Sequence, residues 1–507
     1  MPGSGDWRLY FLCAVAIINS ATNGYDGSMM NGLQSLQSWK AYFNPADPEQ
    51  GPDPATRGLL NAIMSVGGTI GVFAGPPASD RLGRKLAIVL GSAIMLVGVA
   101  LQGGAVNIGM FIAARFILGF GLSITSNAAP TLVVEIAHPT HRGKITALYN
   151  TMWYLGSIIA AWVTYGTFNA FQDNWSWRVP SIIQAAPSVI QLIFVWFYEE
   201  SPRWLVGKGR DEEALRILAD LHANGNKEDD LVQLEYREIK ETIAREQEVA
   251  KRSYAELWAT PGNRRRTFIA VTVGFFSQWS GNGLVSYYLT DVLNNVGITD
   301  QHSQLLINGF LQIWNLICAV TAALFVDRVG RRPLWLFSTA GMLIAFILQT
   351  ICTGVYSEQL NHAAGYASVA MIFLFYAAYD SAWTPLTVSY IVEIMPFTIR
   401  AKGMAVQGLC VNLALFFNSY VNPVALTAIG WKYYLVYCCW LFVELFVVWK
   451  YYVETKGRTL EELAEIFDGD QAALVVAEAR RLEALNLAAE EKANRDNLEV
   501  LDASEKV

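Results

Sequence analysis

Twelve apolar runs, each close to the length that crosses a bilayer, leave this chain of 507 residues little choice but a bundle of membrane-spanning helices. About 20 apolar residues in a helix cover the roughly 30 Å of hydrocarbon, and a spanning strand would need only about ten. Lipid offers no hydrogen bonds, so a run of the longer kind must satisfy its backbone internally as a helix. The runs fall near 8–33, 58–79, 86–105, 109–136, 144–169, 178–198, 266–296, 303–326, 333–355, 366–393, 402–428 and 431–453. Composition agrees, with 16% charged residues against about 25% in a soluble domain. The first run begins almost at once and is too long for a cleavable leader, so it reads as a true span.

The loops orient the bundle. Short connections after even-numbered spans carry the positive charge, in RLGRK (81–85), HRGK (141–144), DRVGRR (327–332) and IRAK (399–402). Those after odd-numbered spans hold almost none beyond Lys40 and Arg57. Lys and Arg stay on the cytoplasmic side, which predicts cytoplasmic termini. The expected organisation is a six-helix half (1–198), a cytoplasmic linker with short amphipathic helices (199–265), a second six-helix half (266–453) and an acidic cytoplasmic tail (454–507). The tail holds 14 acidic and 7 basic residues, a net of −7 that equals the net charge of the whole chain. No basic patch suits a nucleic acid. The six cysteines lie in apolar runs without metal-ligand or disulfide spacing, the five histidines are scattered, and no HExxH, GxSxG or Walker motif occurs. The sequence therefore predicts neither enzyme nor cofactor.

The two halves echo each other. Asp80-Arg81-Leu82-Gly83-Arg84-Lys85 follows span 2, and Asp327-Arg328-Val329-Gly330-Arg331-Arg332 follows span 8. Glu135 precedes Arg142 by seven residues, as Glu393 precedes Arg400. Glu200 and Arg203 follow span 6, and Glu454 and Arg458 follow span 12. Two six-span repeats about an axis along the membrane normal form a transporter architecture with its site near the midplane. The recurring charges are expected to pair across the halves as a cytoplasmic gate that must break when the inner side opens. Gly67, Gly71 and Gly75 are expected to bring helices close together.

From about residue 20 to 467 the chain resembles the sugar porter family of the major facilitator superfamily. The resemblance rests on Gly24-Tyr25-Asp26, the DRLGRK loop, Arg115 through Gly119, Pro130, Glu135, Arg142-Gly143 and Trp177-Arg178. It continues in Glu200-Ser201-Pro202-Arg203-Trp204-Leu205 and Glu454-Thr455-Lys456-Gly457-Arg458, which are similar to the family's PESPRWL and PETKG signatures with Glu199 and Val453 in place of the first proline. Residues 277–283 and 379–385 look most like fungal lactose and cellodextrin permeases. The family implies an all-α membrane protein of twelve helices that moves a sugar across the plasma membrane by alternating access, working as a monomer in the bilayer.

Two charges lie inside spans, where they are costly and usually functional. Asp26 in span 1 and Arg115 in span 4 fall at similar depth and are expected to be partners. A carboxylate beside a cation is ionised, and one that is desolvated or unpaired takes a proton, so alternating pairing would couple protons to the sugar. Proton-coupled members of the family resemble this chain in having Asp here, where facilitators commonly have Asn. A neutral, hydroxyl-rich sugar needs amides and aromatic faces. The expected ligands are Gln278 and Asn282 in span 7, Asn315 in span 8 at a family sugar-site position, Asn150 in span 5 where the family usually has Gln, Asp380 and Trp383 in span 10, and Asn412 in span 11. Gly283, Asn150 and Val388 stand where hexose members carry larger residues, so the pocket should suit a disaccharide such as lactose or cellobiose. A hexose transporter, an uncoupled facilitator and a non-transporting sugar sensor are the competing expectations.

Overall fold

The computed structural model describes residues 4–136, 142–197, 199–223, 225–250, 253–458 and 460–469; the side chains of 4–17, 142–151, 245–250, 327, 397, 460, 461 and 464 lie outside that set. The described secondary structure is helical. The first half contains α1 (Ser4–Ser35), the short α2 (Gln37–Phe43), α3 (Pro54–Leu82), α4 (Arg84–Gly103), α5 (Ile108–Ile136), α6 (Arg142–Ala170), α7 (Trp175–Ile183) and α8 (Ala186–Phe194). Four helices follow, all short but α11: α9 (Pro202–Gly207), α10 (Asp211–His222), α11 (Asp230–Ala250) and α12 (Glu256–Ala259). The second half contains α13 (Pro261–Trp279), α14 (Asn282–Asn294), α15 (Gln301–Val329), α16 (Arg331–Gln359), α17 (His362–Ala382), α18 (Leu386–Ile394), α19 (Phe397–Ile429) and α20 (Tyr433–Tyr451). The last described helix is α21 (Leu460–Asp468).

Every expected span is occupied by helix, and three are broken. Span 6 bends between α7 and α8. Span 7 breaks at Ser280-Gly281, where Gly281 takes φ +106° and a side chain would strike the ring of Phe346. Span 10 breaks before Pro385, which has no N–H to continue the ladder. Among the described residues, eight stretches are long and apolar enough to cross a membrane by themselves, one of them covering both α19 and α20. The remaining spans, α1, α6 and α13–α14, are diluted by polar residues such as Asn19, Thr22, Asn31, Thr164, Thr272 and Gln278.

The bundle is inside out relative to a water-soluble protein. Phe73 (70% exposed), Leu324 (73%) and Phe442 (66%) face outward, where water would penalise so large an apolar surface and lipid would not. Within the first half α1 packs on α6 and α3 on α5; within the second, α16 packs on α17 and α13 on α19. The halves meet along α3–α19, α6–α15 and α1–α14.

Close packing fixes the α1–α6 seam. A Cβ on Gly24 would lie 1.8 Å from the carbonyl oxygen of Trp153, and one on Gly156 would lie 1.8 Å from that of Ala21. Glycine at both points lets the two backbones touch. Gly67 sits in the same way against Phe116 of α5.

Candidate functional site

Asp26 follows Gly24 by two residues on the face of α1 turned into the bundle, and its side chain is entirely buried. Its Oδ1 accepts a 2.6 Å hydrogen bond from Gln184 Nε2, at the bend between α7 and α8. Its Oδ2 is buried without a hydrogen-bond partner. Arg115 on α5 is also buried, but its guanidinium reaches the main chain. Nη1 donates to the carbonyl of Asp26 at 3.2 Å and Nε to that of Leu60 at 3.4 Å. The expected neighbours are adjacent, and the carboxylate–guanidinium pair expected between them is replaced by two main-chain contacts. Gln102 donates to Gln184 at 3.0 Å, which extends the polar chain to α4.

A second buried acid lies where the halves meet. Asp380 on α17 has no exposed surface. Its Oδ1 accepts from Tyr154 of α6 at 2.5 Å and from Thr384 at 2.7 Å, while Oδ2 has no partner. Beside it, Tyr379 donates to the carbonyl of Ser277, and Asn282 Nδ2 donates to the Tyr379 hydroxyl at 3.1 Å. The Oδ1 of Asn282 and the Oδ1 of Asn315 are buried and unpartnered. Gln278 is half-buried, with a long 3.4 Å contact to Ser277. Amides with orphaned oxygens, a carboxylate with a spare oxygen and several tyrosine hydroxyls can together bind a neutral polyol.

The other expected ligands are placed differently. Trp383 is packed inside the second half, its ring 4.5 Å from that of Trp335 and 6.3 Å from that of Phe276. With 1% of its surface exposed it offers no face for a sugar to stack on. Its chain neighbours explain this: the break before Pro385 turns position 383 inward, onto α16. Asn412 folds its amide back onto the carbonyl of Gly408 on its own helix, at 3.1 Å. The side chain of Asn150 lies outside the described set.

At the end of the bundle that carries the basic loops, the expected gate charges pair within each half. Arg84 clasps Glu135 at 3.1 and 3.3 Å and touches Asp80 at 3.4 Å. Arg331 clasps Glu393 at 3.0 and 3.3 Å, and Thr455 donates to the same carboxylate. Glu200 accepts from the backbone N–H of Arg84 at 2.9 Å and of Lys85, and Glu454 accepts from those of Arg331 at 2.9 Å and Arg332 at 3.0 Å. These two glutamates thus cap the N-termini of α4 and α16, where a helix welcomes negative charge. Burial pushes the Glu200 carboxyl above its ordinary value against the pull of its N–H donors. Burial pushes Glu454 upward too, but the N–H groups of Lys456, Arg331, Arg332 and Thr455 outweigh it and hold it below. Arg81, Arg328 and Arg458 are exposed, and Arg400 donates to the carbonyl of Met395. Arg203 is half-buried beside Trp204, whose indole donates to the carbonyl of Asp80. The side chains of Arg142 and Asp327 lie outside the described set.

Among the described residues, bonds between the halves run from mid-depth to the opposite end. Ser157 donates to Gln312 at 2.7 Å. Asn31 of α1 accepts from the N–H of Leu289 on α14 at 3.0 Å, and Gln34 donates to the carbonyl of Tyr287. Arg57 of α3 reaches both oxygens of Asp291 on α14, at 2.7 and 2.8 Å. The sequence reading passed over Gln184, Tyr154, Gln312 and Asp291. Their signal was present as polar residues inside apolar runs, or, for Asp291, an acid at the end that carries Arg57.

Twelve spans in two packed halves, with buried polar groups along the seam, define a membrane transporter of the major facilitator type. Residues 12–467 match the family model described as "Sugar (and other) transporter". The chain belongs to this family, the sugar porters of the major facilitator superfamily, and is a transporter rather than an enzyme. It is 28% identical over 458 residues to the MFS-type transporter criB of Aspergillus cristatus, covering 90% of this chain and 93% of that one. It is 28% identical over 486 residues to a high-affinity glucose transporter of Kluyveromyces lactis, covering 91% and 85%. Among solved structures it is similar to the inward-open conformation of the xylose transporter XylE from E. coli, with TM-score 0.75, 23% identity, and coverage of 90% of this chain and 100% of that one. That last likeness bears on the fold.

Proposed function

We propose that this sugar porter is a proton-coupled importer of the plasma membrane, with the basic-loop end in the cytoplasm. The observation that carries the coupling is Asp26: a fully buried carboxyl with one oxygen held by Gln184, the other unpartnered, and a guanidinium next to it that is engaged with main-chain carbonyls. A facilitator has no use for an isolated acid in a span. Arg115 can turn from the carbonyl of Asp26 to its carboxylate by a small side-chain movement. Bonded to the main chain it leaves Asp26 free to carry a proton, and turned onto the carboxylate it favours release of that proton. Joining this exchange to the rocking of the halves moves one proton with one sugar.

The substrate reading is a disaccharide such as lactose or cellobiose. Trp383 is sequestered against Trp335, and Val388 is half exposed on α18. Neither places a large ring against the polar cluster, which favours a wide pocket. The second reading, a hexose, draws support from relatives named as glucose transporters in Kluyveromyces lactis and Schizosaccharomyces pombe, 28% and 29% identical.

The test is uptake of labelled cellobiose, lactose and glucose in transport-deficient yeast at pH 5 and pH 7, with and without an uncoupler. Acid-stimulated, uncoupler-sensitive disaccharide uptake that Asp26→Asn abolishes is the expected result. Glucose uptake indifferent to pH and to Asp26 would sink both coupling and the wide pocket.

A further inference from the structure

Asp380 and Tyr154 come from opposite halves of the molecule. They are joined by a 2.5 Å hydrogen bond in which the tyrosine hydroxyl donates to Oδ1. Both side chains are buried, Tyr154 with 5% of its surface exposed and Asp380 with none. Thr384 completes the knot, donating to the same Oδ1 at 2.7 Å and lying 3.1 Å from the tyrosine hydroxyl. The second carboxylate oxygen has no partner. Asn282, whose Oδ1 is also unpartnered, sits against Tyr379, the residue next to Asp380.

An alcohol is what a phenol imitates. The groups that bind sugars are carboxylates and amides that accept from hydroxyls, and here a protein hydroxyl already occupies one of the two oxygens. Its backbone is held firmly. Trp153, the preceding residue, has its carbonyl against Gly24, and its ring makes an edge contact with that of Tyr154 at 5.1 Å. The phenol is therefore aimed at Asp380 from a point where α6 touches α1 backbone to backbone.

We propose that Tyr154 is a specificity-determining residue that competes with the sugar. Its hydroxyl stands in for a substrate hydroxyl on Asp380, tethers the halves while the site is unliganded, and must be displaced for a sugar to bind across both carboxylate oxygens. A monosaccharide or disaccharide offering two neighbouring hydroxyls can take Oδ1 and Oδ2 together. A ligand with a single hydroxyl gains only one new bond and cannot repay the loss of the tether. This makes the tether a filter for polyols as well as a latch. The inference rests on the reading of Asp380 as part of the sugar site.

The experiment measures equilibrium binding of labelled glucose and cellobiose to the purified full chain in lipid nanodiscs, for wild type, Tyr154→Phe and Asp380→Asn. Tyr154→Phe keeps the ring and its contact with Trp153 and removes only the hydroxyl. The net worth of a typical hydrogen bond is such that removing the competitor should tighten the Kd by about three- to tenfold. The number of sites per protein should stay the same. A merely structural role would lower the number of sites and leave the Kd in place. An unchanged or weaker Kd in Tyr154→Phe, with Asp380→Asn weakening binding, overturns the competition and leaves the sugar site standing. Wild-type binding retained in Asp380→Asn removes Asp380 from the site and overturns both.

Discussion

At the scale of single residues, the chemistry is concentrated in a few polar atoms that no neighbour satisfies. An orphaned buried oxygen costs about 1–3 kcal/mol, and the molecule keeps such oxygens on Asp26, Asp380, Asn282 and Asn315. Among the described residues Gln184 is the only side chain donating to the Asp26 carboxyl, so it sets where that carboxyl points. Replacing Gln184 with Leu keeps the volume and removes the donor. Uptake driven by a proton gradient should fall by about tenfold or more, the loss of a hydrogen bond to a charged group, while sugar exchange at equal pH on both sides should fall far less. Equal losses in both assays would show that Gln184 only supports the fold. Asp26 and Arg115 could be read from the sequence because charges in a span stand out against apolar neighbours. Gln184 and Tyr154 could not, because a glutamine or tyrosine in a span has many ordinary uses. What singles them out is a contact across 158 or 226 positions of chain.

At the scale of elements, the twelve helices were legible from hydropathy, since the length of each run follows from membrane thickness. The breaks were less so. Trp383 was expected to face the sugar because of its place in span 10, but the turn before Pro385 rotates it onto Trp335. The paired loops taught a similar lesson. Their charges were expected to pair between halves, and in this conformation they pair within each half, with Glu200 and Glu454 serving as helix caps. The two caps should differ with pH. Glu454 is held below its ordinary value, so its ionised form adds stability above that value, and this is lost as pH falls through the lowered one. Glu200 is held above its ordinary value, so the stability linked to its proton is present at low pH and is lost as pH rises through the raised one. At pH 7, Glu454→Gln should therefore destabilise the detergent-purified protein more than Glu200→Gln, by about 1 kcal/mol, the worth of a helix cap. The difference should shrink as pH is lowered toward 4. Thermal unfolding of the two variants at both pH values decides it, and a larger effect of Glu200→Gln at pH 7 would contradict it. Gly156→Val makes a blunter test of the α1–α6 seam. Its side chain has no room against Ala21, so the variant should be made in yeast yet reach the surface at a small fraction of the wild-type amount.

At the scale of the whole molecule, the bonds between the halves among the described residues run from mid-depth to the end away from the basic loops. Arg57 and Asp291 are the strongest of these on chemical grounds. They are oppositely charged, bonded through both carboxylate oxygens and mostly shielded, with 15% and 19% of their side chains exposed. An exposed pair is worth 0–1 kcal/mol and breaking a buried one costs about 3–5, so this intermediate pair should be worth about 1–2 kcal/mol. On the rocking of the halves proposed above, this pair breaks once per cycle, and its strength then sets how the population divides between closed and open at this end. Arg57→Ala should shift that division by about five- to thirtyfold, since each 1.4 kcal/mol is a factor of ten in an equilibrium constant. A cysteine introduced at Tyr287, beside Gln34 of the facing half, reports the shift through its reactivity with a membrane-impermeant maleimide added outside the cell. The rate should rise in Arg57→Ala and in Asp291→Ala, and the double variant should add little to either, because each single change already removes the pair. Rates equal to wild type would mean that the amide and main-chain bonds around Asn31 hold this end closed by themselves. Additive rates would mean that Arg57 and Asp291 act on separate partners and form no latch.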